Sequence, residues 1–384
     1  MNVLVTDGIC PSTPAIIESL GKLGHQVFCC EETKWNASFF SKYVHKGIVT
    51  PSSENEPEKY RQALLDIIEE QRIDILIPVR DAAINVVVKE RDSFSQIVKL
   101  LLPEYEDWLN GASKIRTMKL AAENNFAIPK TYFKEEHSYE YLASELGIPF
   151  LIKLEFSSGT RGVFSIENEK RFNELIGQFS KQGIGYYYQE KIPLGGRSLS
   201  PSYIYNYDHE LIAWFLYEQL RTYPVNGGTT SFGMSIYDEK ILLDGKALLD
   251  KMNWIGPAGI DILQDPRDGV YKILEINPRF WTPLLLAIRS GVDFPHIMLD
   301  IITGFSTEKV LIYKEDLTYS FLPYELIHLF KKQNLNILKS MVPSQNHHDV
   351  FINVHDPALL LGLIFQMLFI LFKKRDRYIH RGEV

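Results

Sequence analysis

The 384-residue sequence predicts a parallel α/β unit, then an α+β unit, then a helical C-terminal region. Two observations carry this. Over the first hundred residues short apolar runs alternate with amphipathic helical stretches, the pattern of a parallel sheet wrapped by helices. From Gly111 the texture changes to short strands joined by turns such as Asp208-His209, and from about Leu311 the chain runs towards a long apolar segment. The length predicts two or three units, placed at 1–110, 111–310 and 311–384.

In the first unit Val3-Leu4-Val5-Thr6 reads as a strand, and Pro14 to Leu23 as a helix with Ile16, Ile17, Leu20 and Leu23 on one face. Gln26 to Cys30 is the next strand, Tyr60 to Glu70 a helix, and Asp74 to Val79 a buried strand. The arrangement is Rossmann-like. The first strand leads into Asp7-Gly8-Ile9-Cys10-Pro11-Ser12-Thr13, which lacks the G-x-G-x-x-G that admits a pyrophosphate, so no dinucleotide site is expected. In the second unit Ser113 to Asn124 is a helix and Pro149 to Leu154 a strand running into Ser157-Ser158-Gly159-Thr160-Arg161-Gly162. Tyr186 to Ile192 is a strand, Ser202 to Tyr207 and Leu211 to Tyr217 a hairpin, and Gly259 to Leu263 pairs with Tyr271 to Ile276.

Hydrophobic residues are 45% and charged residues 23%, which excludes a disordered or fibrous chain. Lys+Arg 41 against Asp+Glu 48 leaves a net charge of -7, so nucleic acid is not an expected partner. Three cysteines without a CxxC spacing make neither a disulfide framework nor a metal site, and they suit a reducing compartment. Met1 leads straight into Val3-Leu4-Val5 without a charged leader, and the expected location is cytoplasmic.

Chemistry concentrates in the second unit. Glu275 and Asn277 alternate onto one face of their strand, and Asp261 on the neighbouring strand can join them. Two carboxylates and an amide oxygen are hard ligands that suit Mg²⁺; the alternative is an exposed hairpin whose acids face water. In the 157–162 loop, Gly159 and Gly162 permit close backbone approach, and Ser157, Ser158 and Thr160 supply donors for phosphate oxygens. The alternative is a glycine-rich turn without a ligand. Lys153 stands inside an apolar strand just before it, where a lysine either snorkels or faces an anion. Arg221-Thr222-Tyr223-Pro224-Val225-Asn226-Gly227-Gly228 is read as a turn whose Arg221 holds a γ-phosphate or an acceptor carboxylate, or as an exposed hairpin tip. Asp7 to Thr13 and Arg80-Asp81 follow strand ends, where open α/β sheets bind ligands. His209, His347 and His348 have no metal spacing.

The order Lys114, Lys153 before a glycine-rich loop, Gln189-Glu190-Lys191-Ile192, Asp261, then Glu275-Ile276-Asn277-Pro278-Arg279 resembles the ATP-grasp superfamily. Within it the chain is similar to the carboxylate–amine ligase branch related to carbamoyl-phosphate synthetase domains and biotin carboxylase, over residues 1 to about 305. The resemblance implies a Rossmann-like domain ahead of an ATP-grasp domain, with ATP and Mg²⁺, or Mn²⁺ in its place. It implies that Lys114 and Lys153 contact ATP phosphates and that Ser157, Ser158, Gly159, Thr160, Arg161 and Gly162 close over the triphosphate. Gln189, Glu190, Lys191 and Ile192 are then the hinge that holds the nucleoside. Asp261, Glu275 and Asn277 are the metal ligands, with Asp261 where Glu is common, and Arg279 stabilises the carboxylate or acyl-phosphate end. Leu194-Gly195-Gly196-Arg197-Ser198 lacks the acidic residue that often binds ribose, which leaves Glu190 for that role.

The implied reaction activates a carboxylate as an acyl phosphate and joins it to an amine. The alternatives are a kinase or phosphate-forming synthetase on the same scaffold, or a nucleotide-binding regulatory protein without turnover. The expected partners are a small-molecule carboxylate and an amine, with a homodimer also open. Ala358 to Phe372 is an apolar run, followed by Lys373, Lys374, Arg375, Arg377 and Arg381. As a helix it spans roughly 22 Å, short of the ~30 Å hydrocarbon core. A second helix is expected over Tyr324 to Met341. The pair is read either as core or dimer packing, or as peripheral attachment through 358–384 to a membrane or a membrane-bound partner.

Overall fold

The computed structural model describes residues 1–133, 137–157, 162–225, 227–305, 308–332, 337, 341–342 and 344–373. A parallel sheet comes first, of β1 (Asn2–Val5), β2 (Gln26–Glu31), β3 (Val44–Val49) and β4 (Ile75–Ile77), ordered β3-β2-β1-β4. Its period of two is visible in the core. Val3 and Val5 pack with Ile16, Ile17 and Leu20 of the Thr13–Lys22 helix. Leu4 faces the other way, towards Tyr60 and Leu64 of the Pro57–Glu70 helix. Both faces are covered, which is why these strands are apolar throughout.

The next sheet is antiparallel and contains β5 (Thr131–Phe133), β6 (Phe150–Leu154), β7 (Val163–Ile166) and β8 (Tyr186–Glu190), ordered β5-β8-β6-β7. Phe150 and Ile152 point into a small core with Phe172 and Phe179 of the Glu169–Gln182 helix. That helix starts where the Asn168 side chain accepts from the Arg171 N–H at 3.0 Å and stops at Gly183, whose φ of 65° suits glycine. With alternate residues of β6 committed to this core, Lys153 is turned to the opposite face.

The large sheet follows, made of β9 (Ser198–Tyr205), β10 (Leu211–Tyr223), β11 (Thr229–Ser235), β12 (Gly256–Gln264), β13 (Tyr271–Asn277), β14 (Thr318–Ser320) and β15 (His347–Asp349). Its order is β13-β12-β9-β10-β11-β14-β15, with β14 and β15 parallel. The expected pairings are present, with longer strands. β10 runs on to Tyr223, so Arg221, expected in a turn, lies inside a strand opposite Phe232. Beyond its helices, the C-terminal region also contributes β14 and β15 to this sheet, a long-range pairing that leaves no local signature in the sequence.

Of the expected Tyr324–Met341 helix, the structure describes Leu322–Lys332; most of the remainder lies outside the described residues. The Ala358–Lys373 helix lies on the turn at Ala37–Phe40. Gln366 Oε1 accepts from the Ala37 N–H at 2.8 Å, Phe365 stacks on Phe40 at 5.5 Å, and Leu359 and Leu363 are buried. Leu361, Ile364 and Leu368 face solvent. Among the described residues no helix is long and apolar enough to cross a membrane. Lys374, Arg375, Arg377 and Arg381 lie outside the described residues.

Candidate active site

Two elements of the small sheet's side meet β12 and β13 of the large one. The register sets Asp261 directly opposite Glu275, and Asn277, two residues on, donates from Nδ2 to Asp261 Oδ2 at 3.0 Å. From the other side comes Lys114, the first residue of the Lys114–Glu123 helix. Ser113 caps that helix, accepting from the Arg116 N–H at 3.2 Å while its hydroxyl donates to Glu155 Oε1 at 2.6 Å. So anchored, Lys114 holds its Nζ 3.1 Å from Glu275 Oε2 and donates to the Ser157 carbonyl. Lys153, only 7% exposed, sits within electrostatic reach of Glu275, Lys114 and Asp261.

The charges of this cluster are tuned against one another. Burial drives the Lys153 ammonium down to about 8, with Lys114 adding to the effect and Glu275 and Asp261 opposing it. Burial, then the Glu275 charge, pushes Asp261 up to about 6. Burial also pushes Glu275 upward, but Lys114, Lys153 and Arg279 together outweigh it and hold its carboxyl below the usual range. Two facing carboxylates, one of them pushed towards protonation, form a donor set that a divalent cation would relieve. Asp261 is further held by Ser200 Oγ at 2.6 Å and Gln219 Nε2 at 3.2 Å.

Arg279 joins this cluster to the parallel unit. Its Nε lies 3.0 and 3.1 Å from the two oxygens of Asp81, and its Nη2 donates to Asn277 Oδ1 at 3.0 Å. At the loop, the neck is described and the tip is not. The Leu154 N–H donates to the Gly162 carbonyl at 2.8 Å, and a Cβ on Gly162 would sit 2.5 Å from Ser157 Cβ, so only glycine fits there. Ser158, Gly159, Thr160 and Arg161 lie outside the described residues.

β8 ends at Glu190, and residues 191–197 carry the chain into β9 of the large sheet. Gln189 is buried with Nε2 on Thr131 Oγ1 at 2.9 Å, Lys191 Nζ is 3.4 Å from Ser165 Oγ, and Ile192 is buried. Both oxygens of Glu190 already have partners. Oε1 accepts from the Lys130 N–H at 2.8 Å and from Lys272 Nζ at 3.0 Å, while Oε2 accepts from Arg267 Nη2 at 2.6 Å. These cations, shared with Asp265, tie the end of β8 to the β12–β13 turn. Arg221 has buried Glu325 as its ion-pair partner and lies 4.1 Å over the Phe232 ring, so its guanidinium is tied to the C-terminal region. Its described partners do not include Asp261, Glu275 or Asn277.

The sequence did not single out Ser200, Gln219, Glu155 or Lys272. Each acts through a strand or helix brought near from elsewhere in the chain. The only local sign was polar residues recurring at every second position of β9, Ser198, Ser200 and Ser202.

Comparison with known proteins finds no matching family model. Two curated relatives are similar in sequence. A D-aspartate ligase of Enterococcus faecium is 24% identical over 262 residues, 62% of each chain. A [butirosin acyl-carrier protein]–L-glutamate ligase of Niallia circulans is 26% identical over 200 residues, 47% of each. The chain thus spans about half to three-fifths of the length of these relatives. Among solved structures, a biotin carboxylase from Campylobacter jejuni in complex with β,γ-ATP matches with a TM-score of 0.66 at 16% identity, over 83% of this chain and 74% of that one. N5-carboxyaminoimidazole synthetase from Staphylococcus aureus, complexed with ADP, matches at 0.64 and 13% identity, over 83% and 80%. An L-amino acid ligase from Bacillus licheniformis gives 0.57 at 15% identity, over 79% and 76%. A parallel unit leading into two further sheets is the fold this chain shares with these structures, and in sequence it is similar to two ligases.

Proposed function

We propose that the chain is an ATP-dependent ligase that activates a carboxylate as an acyl phosphate and joins it to an amine, releasing ADP and phosphate. One observation carries the reading. Lys114 and Lys153, from the side of the small sheet, converge on Glu275, which stands beside Asp261 and Asn277 and is linked through them to Arg279. Buried cations facing a carboxylate pair suit a polyphosphate brought in with a divalent cation.

In this reading the chain divides at about 110 and 310, and ATP lies between the two antiparallel sheets. Lys114 and Lys153 offset charge on the phosphate oxygens, and the 157–162 loop closes over them. The Gln189–Ile192 segment holds the nucleoside through its backbone. Asp261, Glu275 and Asn277 hold Mg²⁺, or Mn²⁺ in its place, which when bound neutralises charge on the transferred phosphoryl group. The substrate carboxylate, oriented by Arg279, attacks the γ-phosphorus, ADP leaves, and the amine then displaces phosphate from the acyl carbon. Positioning and preorganised charge supply the acceleration. Arg221, paired with Glu325, supports β10 behind Gln219 and bears on this chemistry by position.

The test is an ADP-release screen of carboxylate and amine pairs, begun with D-aspartate and L-glutamate because the two relatives are named for them. Hydroxylamine should convert the activated carboxylate to a hydroxamate. ADP release without hydroxamate would favour a kinase, and no ADP release with any pair would favour a nucleotide-binding protein without turnover.

The outward face of the Ala358–Lys373 helix, with Leu361, Ile364 and Leu368 in solvent, favours a second reading of the C-terminal region: peripheral contact with an anionic membrane. Removing the region would also remove β15, so the discriminating variant is Leu361→Ser/Ile364→Ser/Leu368→Ser. The full chain should cosediment with anionic liposomes about 10-fold more than this variant. Equal recovery of both in the supernatant would leave the helix as a packing element alone.

A further inference from the structure

The register that sets Asp261 opposite Glu275 extends across the large sheet. Gly259 pairs with Ser202 and Ile262 with Leu199, which places Ser200 opposite Asp261, and Tyr217 pairs with Ser200 on its other side. β10, β9, β12 and β13 therefore present Tyr217, Ser200, Asp261 and Glu275 as one row on one face. Gln219 stands two residues beyond Tyr217 on that face, and β10 shifts register just after it, between Gln219 and Arg221. Diagonal neighbours on a sheet face are about 7–8 Å apart, within reach of a long side chain. The Gln219 amide crosses that gap to Ser200 and Asp261.

The three side chains close a ring whose donors are all spent. Gln219 Nε2 carries two protons and gives one to Ser200 Oγ at 2.7 Å and one to Asp261 Oδ1 at 3.2 Å. Ser200, 2% exposed, gives its single hydroxyl proton to the same Asp261 Oδ1 at 2.6 Å. An ionised carboxylate oxygen has two acceptor positions, so Oδ1 is filled. Oδ2 accepts from Asn277 Nδ2 at 3.0 Å and keeps one position, on the residue that faces Glu275. Asp261 thus has one oxygen to offer a cation, not two.

Resting on the metal assignment of the ligase reading, we infer that Ser200 and Gln219 are positioning residues that select the metal. By filling Oδ1 they keep Asp261 a one-oxygen ligand and so favour Mg²⁺ over Ca²⁺. Ca²⁺ takes roughly six to eight oxygens at about 2.3–2.6 Å and accepts both oxygens of one carboxylate. Mg²⁺ demands a near-octahedral shell at about 2.0–2.1 Å, and two oxygens joined through one carbon subtend too small an angle for it. Loss of either donor reopens Oδ1 and lets Asp261 turn both oxygens to a larger ion.

Calorimetric titration of the full chain with ATP, at saturating Mg²⁺ or saturating Ca²⁺ and without carboxylate or amine, reads the effect as a ratio of two dissociation constants. The ratio is blind to anything that weakens the site for both ions alike, such as a general loosening of the sheet. In the wild type Mg-ATP should bind about 10-fold more tightly than Ca-ATP. Ser200→Ala and Gln219→Met should each weaken Mg-ATP by about 10-fold, as loss of a partner behind a metal ligand does, while Ca-ATP holds or gains. Ser202→Ala, two residues along β9, removes a buried hydroxyl that has no hydrogen-bond partner and should keep the wild-type ratio. A ratio unchanged in both Ser200→Ala and Gln219→Met, or a wild type indifferent to the ion, would overturn the inference. Because binding needs no turnover, the two readings fail separately. A ratio that shifts as expected in a protein that releases ADP with no carboxylate and amine pair would refute the ligase reading and leave the role of Ser200 and Gln219 standing.

Discussion

Glu275→Gln should lower ATP turnover by about 100- to 1000-fold or more while the fold survives. The side chain keeps its shape and loses the charge on which Lys114, Lys153 and the proposed metal depend. Its neighbours predict how the site will readjust. Asp261 loses the like charge across the strand pair and should fall from about 6 towards the ordinary carboxylate range, held up only by its burial. Lys153 loses the carboxylate that most favours its ammonium and should fall further below its present value. Leaving Lys114 without its ion-pair partner costs about 1–3 kcal/mol, visible as a lower Tm without a change of circular dichroism at ambient temperature. Turnover at the wild-type rate would refute the assignment of Asp261, Glu275 and Asn277 to a metal.

Lys153→Met should weaken ATP binding by about 10- to 100-fold, since a charge-assisted bond to phosphate contributes about 1.5–3 kcal/mol. The same change should leave the ligand-free protein as stable as before or more so, because a buried ammonium is a cost to the fold. The sign follows from the depressed value of about 8 against an ordinary 10.5. Between these two pH values the unfolded chain binds the proton and the folded chain has released it, so stability rises with pH across that window. Below pH 8 the ammonium is charged in both states and the penalty is present in full. Wild-type protein should therefore gain stability between pH 8 and 10.5 relative to Lys153→Met. ATP affinity should fall as pH rises through 8 in the wild type and lose that dependence in the variant. Calorimetric titration across pH 7 to 10 reads both effects; an unchanged dissociation constant for ATP in Lys153→Met would mean that the lysine packs and does not bind.

These two residues mark how much of the site was legible in advance. Lys153 stood out because a charge inside an apolar strand must be explained by its surroundings, and the strand's period of two decided which face it takes. Asp261, Glu275 and Asn277 were legible as a group for the same reason, since alternation and a hairpin turn are local properties of the sequence. The parallel unit was equally readable, because strands buried on both faces are apolar throughout and the helices between them carry one apolar stripe.

What the sequence alone determined, then, was every feature set by local periodicity: the class of each unit, most strands and helices, and the residue types on the β12–β13 edge of the large sheet. Only the tertiary structure decided the pairings between distant segments. It committed Arg221 to Glu325, 104 positions away, and Glu190 to Lys272, 82 positions away. It brought Asp81 to Arg279 across 198 positions, and Ser200 and Gln219 to Asp261 from strands β9 and β10. It also drew β14 and β15 into the large sheet. The physical reason is common to all of these. A charge takes the partner that the folded chain presents at about 3 Å, and that distance is set by the stacking of sheets and helices far apart in sequence, on which local propensity and spacing have no hold.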